Sequence, residues 1–171
     1  LDDAAVRAAC AEAAQGEIVE SVVFNAPSQV VIAGHKGAVE RGAAAAKARG
    51  AKRVVMLPVS APFHSSLLTP AADRLRERMQ SVAFRAPQIA VVNNVDVATV
   101  TDPAQIKDAL ARQACKPVRW VETIRAFADR GVTHVVECGP GKVLAGLTKR
   151  IDDRLHGFAV TDPASLGQTI G

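Results

Sequence analysis

The sequence predicts an α/β protein in which short strands alternate with helices. Short apolar runs bounded by Gly, Pro or Asn recur along the chain, and the stretches between them repeat their apolar residues at helical spacing. With 171 residues, 49% of them hydrophobic, the chain can bury an ordinary core as one domain or two small ones. Alternation of strands and helices favours a parallel sheet that helices cover on both faces.

Residues 1–58 are predicted to form a small subdomain. Asp2 or Asp3 can cap its first helix, and the runs IVESVVF and QVVIAG predict two strands joined by a tight turn at residues 25–27. A helix over about residues 36–49 and the strand KRVVMLPV complete it. The order helix, strand, strand, helix, strand is that of a ferredoxin-like split β-α-β motif whose first strand is absent.

Residues 59–171 show the regular alternation expected of a larger α/β domain. A helix over about residues 69–80 precedes the strand IAVVNNV, and Asp102 and Pro103 suit the N-cap and first turn of the next helix. A helix over residues 120–130, the strand THVVEC, the turn GPGK, another helix, the strand GFAV and a short terminal helix follow. Because GPGK lacks both glycine patterns of nucleotide-binding loops, we interpret it as tight strand-to-helix packing.

The charge pattern narrows the classes of partner. A net charge of +4 and a pI near 9.3 favour an acidic partner, because a basic surface raises encounter rates with anions. Aromatic residues are only 4% of the chain and the basic residues are dispersed, which argues against nucleic acid. We interpret the densest basic cluster as a solvated helix end and loop; it consists of Lys47, Arg49, Lys52 and Arg53.

Neither a membrane segment nor a disulfide framework is predicted. No apolar run reaches the roughly 20 residues of a membrane-spanning helix, and the opening LDDAAVRAAC lacks the features of a signal peptide, so a cytoplasmic location is expected. Cys10, Cys115 and Cys138 are odd in number and widely spaced, without a CxxC pair or a histidine at ligand spacing. They are expected to be ordinary buried thiols, not disulfide partners or zinc ligands.

His64, in the loop VSAPFHSSLL after a predicted strand, is the candidate catalytic residue. Catalytic side chains of open α/β sheets collect in such loops, and a neutral imidazole can accept and return a proton. A loop histidine can equally be a hydrogen-bonded surface or cap residue, and spacing alone leaves both interpretations open. The chain has no GxSxG elbow, and Ser65 and Ser66 are too close in sequence to meet the imidazole at attack geometry.

Five ordered blocks resemble the later part of bacterial malonyl-CoA:acyl carrier protein transacylases. They are FNAPSQVVIAGHKGAVERG, KRVVMLPVSAPFHSSLLTPAADRL, VVNNVDV, ALARQACKPVRW and ECGPGKVLAGLTKRI, and the likeness extends over essentially the whole chain. The resemblance implies that residues 59–171 belong to an α/β-hydrolase-like large domain with a parallel sheet. It also implies that residues 1–58 are an incomplete ferredoxin-like small subdomain inserted into that domain.

The resemblance further implies a reaction and two catalytic residues. In the family, a serine in a GHSxG elbow attacks the malonyl thioester, a histidine acts as base, and the acyl-serine passes malonate to the phosphopantetheine thiol of acyl carrier protein. By its motif that histidine is His64, and the main-chain carbonyl of Gln113 orients it by accepting the Nδ1 proton. Without the resemblance, Gln113 would be a solvent-facing residue at a helix C-terminus. Malonyl-CoA and acyl carrier protein are the expected partners, and no metal or cofactor is expected because the CoA and phosphopantetheine thioesters are substrates.

The nucleophile serine, the oxyanion-hole amides and the carboxylate-binding arginine of the family correspond to sequence before Leu1. We therefore expect a truncated or cleaved product, or a chain that works with a separate N-terminal chain. Alone, residues 1–171 are expected to transfer no malonate. They are also expected to be marginally stable or to aggregate, because a parallel sheet without its neighbouring strands leaves unpaired edges and bare apolar faces.

Three residues are candidates for substrate binding. Phe63 precedes the histidine, where related polyketide acyltransferases carry Phe when malonyl-selective and Ser when methylmalonyl-selective, although the transacylases themselves often have Ser. Its aromatic ring is expected to occupy the space of an α-methyl group, with simple packing as the alternative. Asn25 and Gln29 match positions that face the phosphopantetheine channel, where amides offer a donor and an acceptor. Asn25 could instead be a turn former, and Val23 stands where close relatives have a second Asn.

Alternative functions remain open from the sequence. The first is malonyl transfer to acyl carrier protein in fatty acid biosynthesis, or in the acyltransferase domain of a polyketide synthase. A serine hydrolase of thioesters would share the fold and the histidine without the carboxylate-binding arginine. A non-catalytic fragment could instead bind the carrier protein through the basic side chains of the small subdomain.

Overall fold

The computed structural model describes residues 1–170, and the chain divides into two compact units, Leu1–Trp120 and Val121–Gly171. The predicted domain boundary after residue 58 lies inside the first unit and stays a prediction. In the described range, no helix is both long and apolar enough to cross a membrane. The first unit contains α1 (Asp3–Ala14), β1 (Val19–Ala26), β2 (Gln29–Gly34), α2 (Lys36–Ala48), a 3-10 helix (Ser66–Leu68), α3 (Thr69–Gln80), β3 (Val92–Asn93), β4 (Ala98–Thr99) and α4 (Pro103–Cys115). From the unit boundary onward follow α5 (Trp120–Asp129), β5 (His134–Cys138), α6 (Val143–Ile151), β6 (His156–Val160) and α7 (Pro163–Ile170).

β1 and β2 form the antiparallel hairpin that the sequence predicts, which closes with Ala26 opposite Gln29. The turn is shorter than expected, since Pro27 and Ser28 alone make it and Ser28 adopts a left-handed φ of +63°. Asn25 lies within β1, at an irregularity in the pairing. Its interpretation as a turn residue is therefore wrong, because the two residues after Ala26 suffice to reverse the chain.

The helices α1 and α2 pack together beside the hairpin and build a core in the first unit. Asp2 caps α1 as predicted, and the small side chains along both helices allow close approach. At the end of β2, a Cβ on Gly34 would overlap the carbonyl oxygen of Ile18, so only glycine fits there. The buried residues of this core are Cys10, Ala13, Val19 and Ala38.

Two predicted strands of the first unit do not form as predicted. The segment KRVVMLPV has no regular secondary structure, and its apolar side chains are exposed, from 41% for Val54 to 62% for Val59. Of the run IAVVNNV, only β3 is a strand, and it pairs antiparallel with β4. A strand needs a neighbour for its backbone N–H and C=O groups, and the described residues provide none for the rest of these runs.

The second unit confirms a parallel strand pair, β5 with β6, and the helix α6 between them. α6 packs closely on β6, where a Cβ on Gly157 would lie 2.5 Å from the carbonyl oxygen of Ala145. None of the residues of β5 and β6 in the described chain is fully buried, and Val136 and Phe158 are 41% and 37% exposed. The expected sheet covered on both faces is therefore absent from the described residues, because two strands alone leave much of the sheet uncovered.

One smaller prediction holds only in part, and another fails. The three cysteines are free thiols, but only Cys10 is buried, whereas Cys115 is half-buried and Cys138, at the end of the uncovered β5, is exposed. In the turn GPGK, no atom of the described chain beyond the two neighbouring residues lies within 4 Å of a Cβ placed on Gly139, and one on Gly141 would make only an ordinary contact. Tight packing within the described residues therefore does not explain these glycines.

Candidate active site

His64 lies in a tight turn just before the 3-10 helix. Its backbone is left-handed, with a φ of +64°, a conformation that costs a non-glycine residue about 1 to 3 kcal/mol and persists where surrounding contacts fix it. Ser65 closes the turn: its backbone N and its Oγ both donate to the carbonyl of Pro62, at 3.2 and 2.7 Å. Because Ser65 is fully buried and its hydroxyl is engaged, its role is to shape the turn.

The half-buried imidazole of His64 contacts Gln113 across 49 residues of sequence: Nδ1 lies 2.8 Å from the main-chain oxygen of Gln113. Gln113 is in the last turn of α4, where carbonyl groups have no helical partner and can accept from a side chain. Since a carbonyl oxygen only accepts, Nδ1 is the donor in this contact, and in the neutral ring the lone pair is then on Nε2. The structure thus brings together the two residues that the sequence analysis assigned to catalysis.

Arg112 lies next to Gln113 and stabilises the end of α4 by hydrogen bonds. The sequence analysis assigned no role to it. Its guanidinium donates to both carboxylate oxygens of Asp96 at 2.7 Å and to Asp108 at 2.6 Å. The hydrogen bonds from Arg112 lower the pKa of Asp96, and those to the two carboxylates raise the pKa of Arg112. Bidentate arginine pairs are directional, so this one links the end of α4 to the turn between β3 and β4.

The segment that follows α4 ties the same helix end to β1. The backbone N of Val118 donates to Val22 at 2.9 Å, and the backbone N of Phe24 donates to Val118 at 3.0 Å. The side-chain amide of Gln113 contributes only long contacts of 3.4 Å to the carbonyls of Lys116 and Pro117. Its Oε1 is buried without a hydrogen-bond partner in the described chain, and the group of Gln113 that contacts His64 is its main-chain carbonyl.

Glu20 holds the other end of the His64 turn and was also not identified from the sequence. One carboxylate oxygen accepts from the backbone N of Ser66 at 2.7 Å and the other accepts from its Oγ at 2.9 Å. A charged residue within the apolar run IVESVVF is unusual for a strand, and this alone could have marked Glu20 as a residue with a specific partner. Its partner, 46 residues away, could not be identified from spacing.

The predicted substrate-binding residues are distributed over two places. Phe63 is next to His64 and half exposed, at 50%, so its ring is open to a ligand. Asn25 and Gln29 lie together at the closed end of the hairpin, Asn25 half-buried and Gln29 exposed. Five residues of strand, roughly 16 Å at the usual rise, separate Asn25 from Glu20, the point at which β1 contacts the His64 turn. Asn25 and Gln29 therefore lie some distance along β1 from the Glu20 contact.

Comparisons with known proteins agree over nearly the entire chain. Residues 2–160 match the family model described as acyl transferase domain. The malonyl CoA-acyl carrier protein transacylase of Salmonella typhimurium is 54% identical over 170 residues, which are 99% of this chain and 55% of that protein. The chain thus spans about half the length of the curated relatives it matches.

Solved structures that are similar to this chain are also malonyltransferases. A crystal structure of acyl-carrier-protein S-malonyltransferase from Burkholderia pseudomallei 1710b superposes with a TM-score of 0.97 at 64% identity, over 99% of this chain and 55% of that one. A malonyl-transacylase in complex with its type II PKS acyl-carrier protein superposes with a TM-score of 0.97 at 50% identity, over 98% of this chain and 54% of that one. The resemblance carried by the five sequence blocks is confirmed, and the chain belongs to the acyl transferase domain family.

Proposed function

We propose that residues 1–171 are part of a malonyl-CoA:acyl carrier protein transacylase that works in the cytoplasm in fatty acid biosynthesis. The observation that carries the proposal is the contact between Nδ1 of His64 and the carbonyl of Gln113. It occurs in a chain whose relatives are named malonyl CoA-acyl carrier protein transacylases. This contact leaves Nε2 as a base at a half-buried, loop-borne position. The complex of a similar transacylase with an acyl-carrier protein supports an acyl carrier protein as the partner of this chain.

In the proposed reaction, Nε2 of His64 removes a proton from a serine hydroxyl supplied by polypeptide outside residues 1–171. The serine oxygen attacks the thioester carbonyl of malonyl-CoA, the C–S bond breaks, and the CoA sulfur leaves with the proton from the imidazolium. In the second half, Nε2 takes the proton of the phosphopantetheine thiol, whose sulfur attacks the malonyl-serine ester. The serine oxygen leaves and regains the proton, so the cycle consumes no cofactor and needs no metal.

We also propose the domain architecture that the resemblance implies. Residues 1–58 would be the incomplete ferredoxin-like subdomain, and residues 59–171 part of the α/β-hydrolase-like domain. The exposed apolar segment at residues 54–59 supports the incomplete state of the small subdomain, since a run of that composition is typical of a strand buried in a sheet. Its partner strands would come from polypeptide outside residues 1–171, in the same or a separate chain.

Phe63 is proposed to favour the malonyl over the methylmalonyl group. Phe63→Ser in the full-length protein is expected to narrow the ratio of kcat/KM values for malonyl-CoA and methylmalonyl-CoA by roughly 10-fold, because one methyl group in an apolar pocket is worth about 1 to 3 kcal/mol. Parallel assays with the two donors measure this ratio. Phe84→Ser, at a half-buried ring under Lys107 in the loop after α3, is the matched control and should leave the ratio unchanged. An unaltered ratio in the Phe63 variant would show that the ring does not line the acyl pocket.

Gln113 is proposed to act through its main chain, so its side chain should be dispensable. Gln113→Ala is expected to keep malonyl transfer within about threefold of wild type, because alanine retains the carbonyl and suits a helix. Steady-state transfer to acyl carrier protein measures this. A loss of two orders of magnitude with the fold intact would mean that the amide, not the carbonyl, does the chemistry.

Asn25 and Gln29 are proposed to contact the phosphopantetheine arm. Both are amides at the same end of the hairpin, and an amide can pair with the peptide-like groups of the arm as donor and as acceptor. Their distance along β1 from the His64 turn fits a role toward the extended arm better than one toward the reacting thioester.

The experiment that tests the proposed function follows a radiolabelled malonyl group. Full-length protein incubated with labelled malonyl-CoA should first become labelled itself and then pass the label to added acyl carrier protein. Release of free malonate in place of transfer would identify a thioester hydrolase. Absence of any label on the full-length protein, with binding of the carrier intact, would indicate that the protein only binds the carrier and does not catalyse transfer. Transfer to the carrier protein of a polyketide synthase and transfer to that of fatty acid synthesis are then compared. The carrier with the higher kcat/KM identifies the pathway in which the enzyme works.

A further inference from the structure

The turn that carries His64 is held by hydrogen bonds at two points. Of the bonds that residues 62–66 make in the part of the chain that the structure describes, only those to Gln113 and Glu20 reach outside the segment 59–69. Gln113 holds the imidazole, whereas Glu20 holds the backbone and hydroxyl of Ser66, two residues further on. Two attachment points restrain the orientation of the turn more than either contact would alone.

From this arrangement we infer that Glu20 is a positioning residue for His64. The left-handed φ of +64° at His64 is a strained conformation, and strain of this kind persists only where the surroundings fix it from more than one side. The bonds of Ser65 to Pro62 shape the turn internally but do not attach it to the rest of the unit. Glu20, anchored in the paired strand β1, makes that attachment.

The chemistry of the Glu20 contact suits this role. A carboxylate accepts at both oxygens, and here each oxygen takes one donor of the same residue, Ser66, at 2.7 and 2.9 Å. Both residues are half-buried, so water competes less for the carboxylate than it would on an open surface. Ser66 also begins the 3-10 helix that leads into α3, where its backbone N–H has no partner within the helix and is satisfied by the carboxylate of Glu20.

The inference rests on the proposed function, and its test uses the full-length protein. Glu20→Ala is expected to lower the limiting single-turnover rate constant for labelling by malonyl-CoA about 10-fold to 100-fold, because a base displaced by about 1 Å loses that much rate. The concentration of malonyl-CoA that gives half of the limiting rate should stay unchanged. Glu20→Gln should recover most of the rate, since its amide can accept from the backbone N of Ser66 and donate to Oγ. Ser66→Ala, which removes only the hydroxyl, should have a rate constant between those of Glu20→Ala and the wild type. Glu40→Ala, at an exposed glutamate on α2, is the charge-matched control and should behave as wild type.

A second measurement keeps the inference separate from the catalytic assignment. In protein with ¹⁵N-labelled histidine, long-range NMR spectra report the fraction of His64 whose proton is on Nδ1, and Glu20→Ala should lower that fraction. If the tautomer and the rate both stay as in wild type, the positioning role is overturned; a lower melting temperature alone would then indicate a purely structural contact. If the tautomer shifts in Glu20→Ala but His64→Ala still transfers malonate, the proposed function fails and the positioning of the ring by Glu20 stands.

Discussion

His64→Ala in the full-length protein is expected to lower malonyl transfer by roughly 10³-fold, the scale of losing a general base. Without the imidazole, neither the serine hydroxyl nor the phosphopantetheine thiol has a group to take its proton. Both half-reactions should slow, so label should appear on the protein slowly and leave it slowly. Rapid-quench labelling with malonyl-CoA, followed by a chase with acyl carrier protein, measures the two steps separately.

Two further variants separate the loss of a base from damage to the turn. His64→Asn fits the left-handed backbone, and its amide can still donate to the carbonyl of Gln113, but it cannot accept a proton at neutral pH. It should be as inactive as the alanine variant and melt close to wild type. His156→Asn removes an exposed imidazole from β6 and should have normal activity. Near-normal turnover in His64→Asn would refute the role of the ring as a base.

Residues 1–171 expressed alone are expected to transfer no malonate and to self-associate. In the described residues, the hydroxyls nearest to the proposed base in sequence, those of Ser65 and Ser66, donate to Pro62 and Glu20. The side chains of Val55, Met56 and Val59 are 55%, 55% and 62% exposed. Contiguous exposed apolar residues with unpaired backbone groups favour association between chains. Light scattering on a gel-filtration column measures the mass, and the labelling assay measures transfer.

The control for association is a double variant within the same segment. Met56→Lys with Val59→Lys places two like charges on the exposed run and should shift the chain toward the monomer without restoring transfer. Association as strong as in the unmodified chain would show that this segment is not its cause. Malonyl transfer by residues 1–171 alone would mean that the nucleophile lies within them.

Local signals in the sequence predicted local structure well. α4 begins where Asp102 and Pro103 predicted it, and Asp102 caps the helix by accepting a hydrogen bond from the backbone N of Gln105 at 2.9 Å. Such a cap needs only residues three positions apart. The run at residues 52–59 has equally strong strand composition but no strand, because a strand depends on a partner elsewhere in the polypeptide.

The site shows the same division between local and long-range information. His64 stood out by its position in a loop after an apolar run, but its pairing with Gln113 depends on a contact across 49 residues and came from the resemblance to a family. Glu20 lies outside the five blocks of the resemblance, and Arg112 lies within one of them but had no role assigned to it. They became visible only when the fold brought Glu20 to Ser66 and Arg112 to Asp96.

The central claim is that the backbone of Gln113 holds the Nδ1 proton of His64, so that Nε2 is the base. Long-range ¹H–¹⁵N spectra of the full-length protein with ¹⁵N-labelled histidine, recorded at a pH where the ring is neutral, test it directly. We predict a protonated Nδ1 and an unprotonated Nε2 for His64. A resonance pattern with the proton on Nε2 would contradict the account, because the nitrogen needed to accept the serine proton would already carry one.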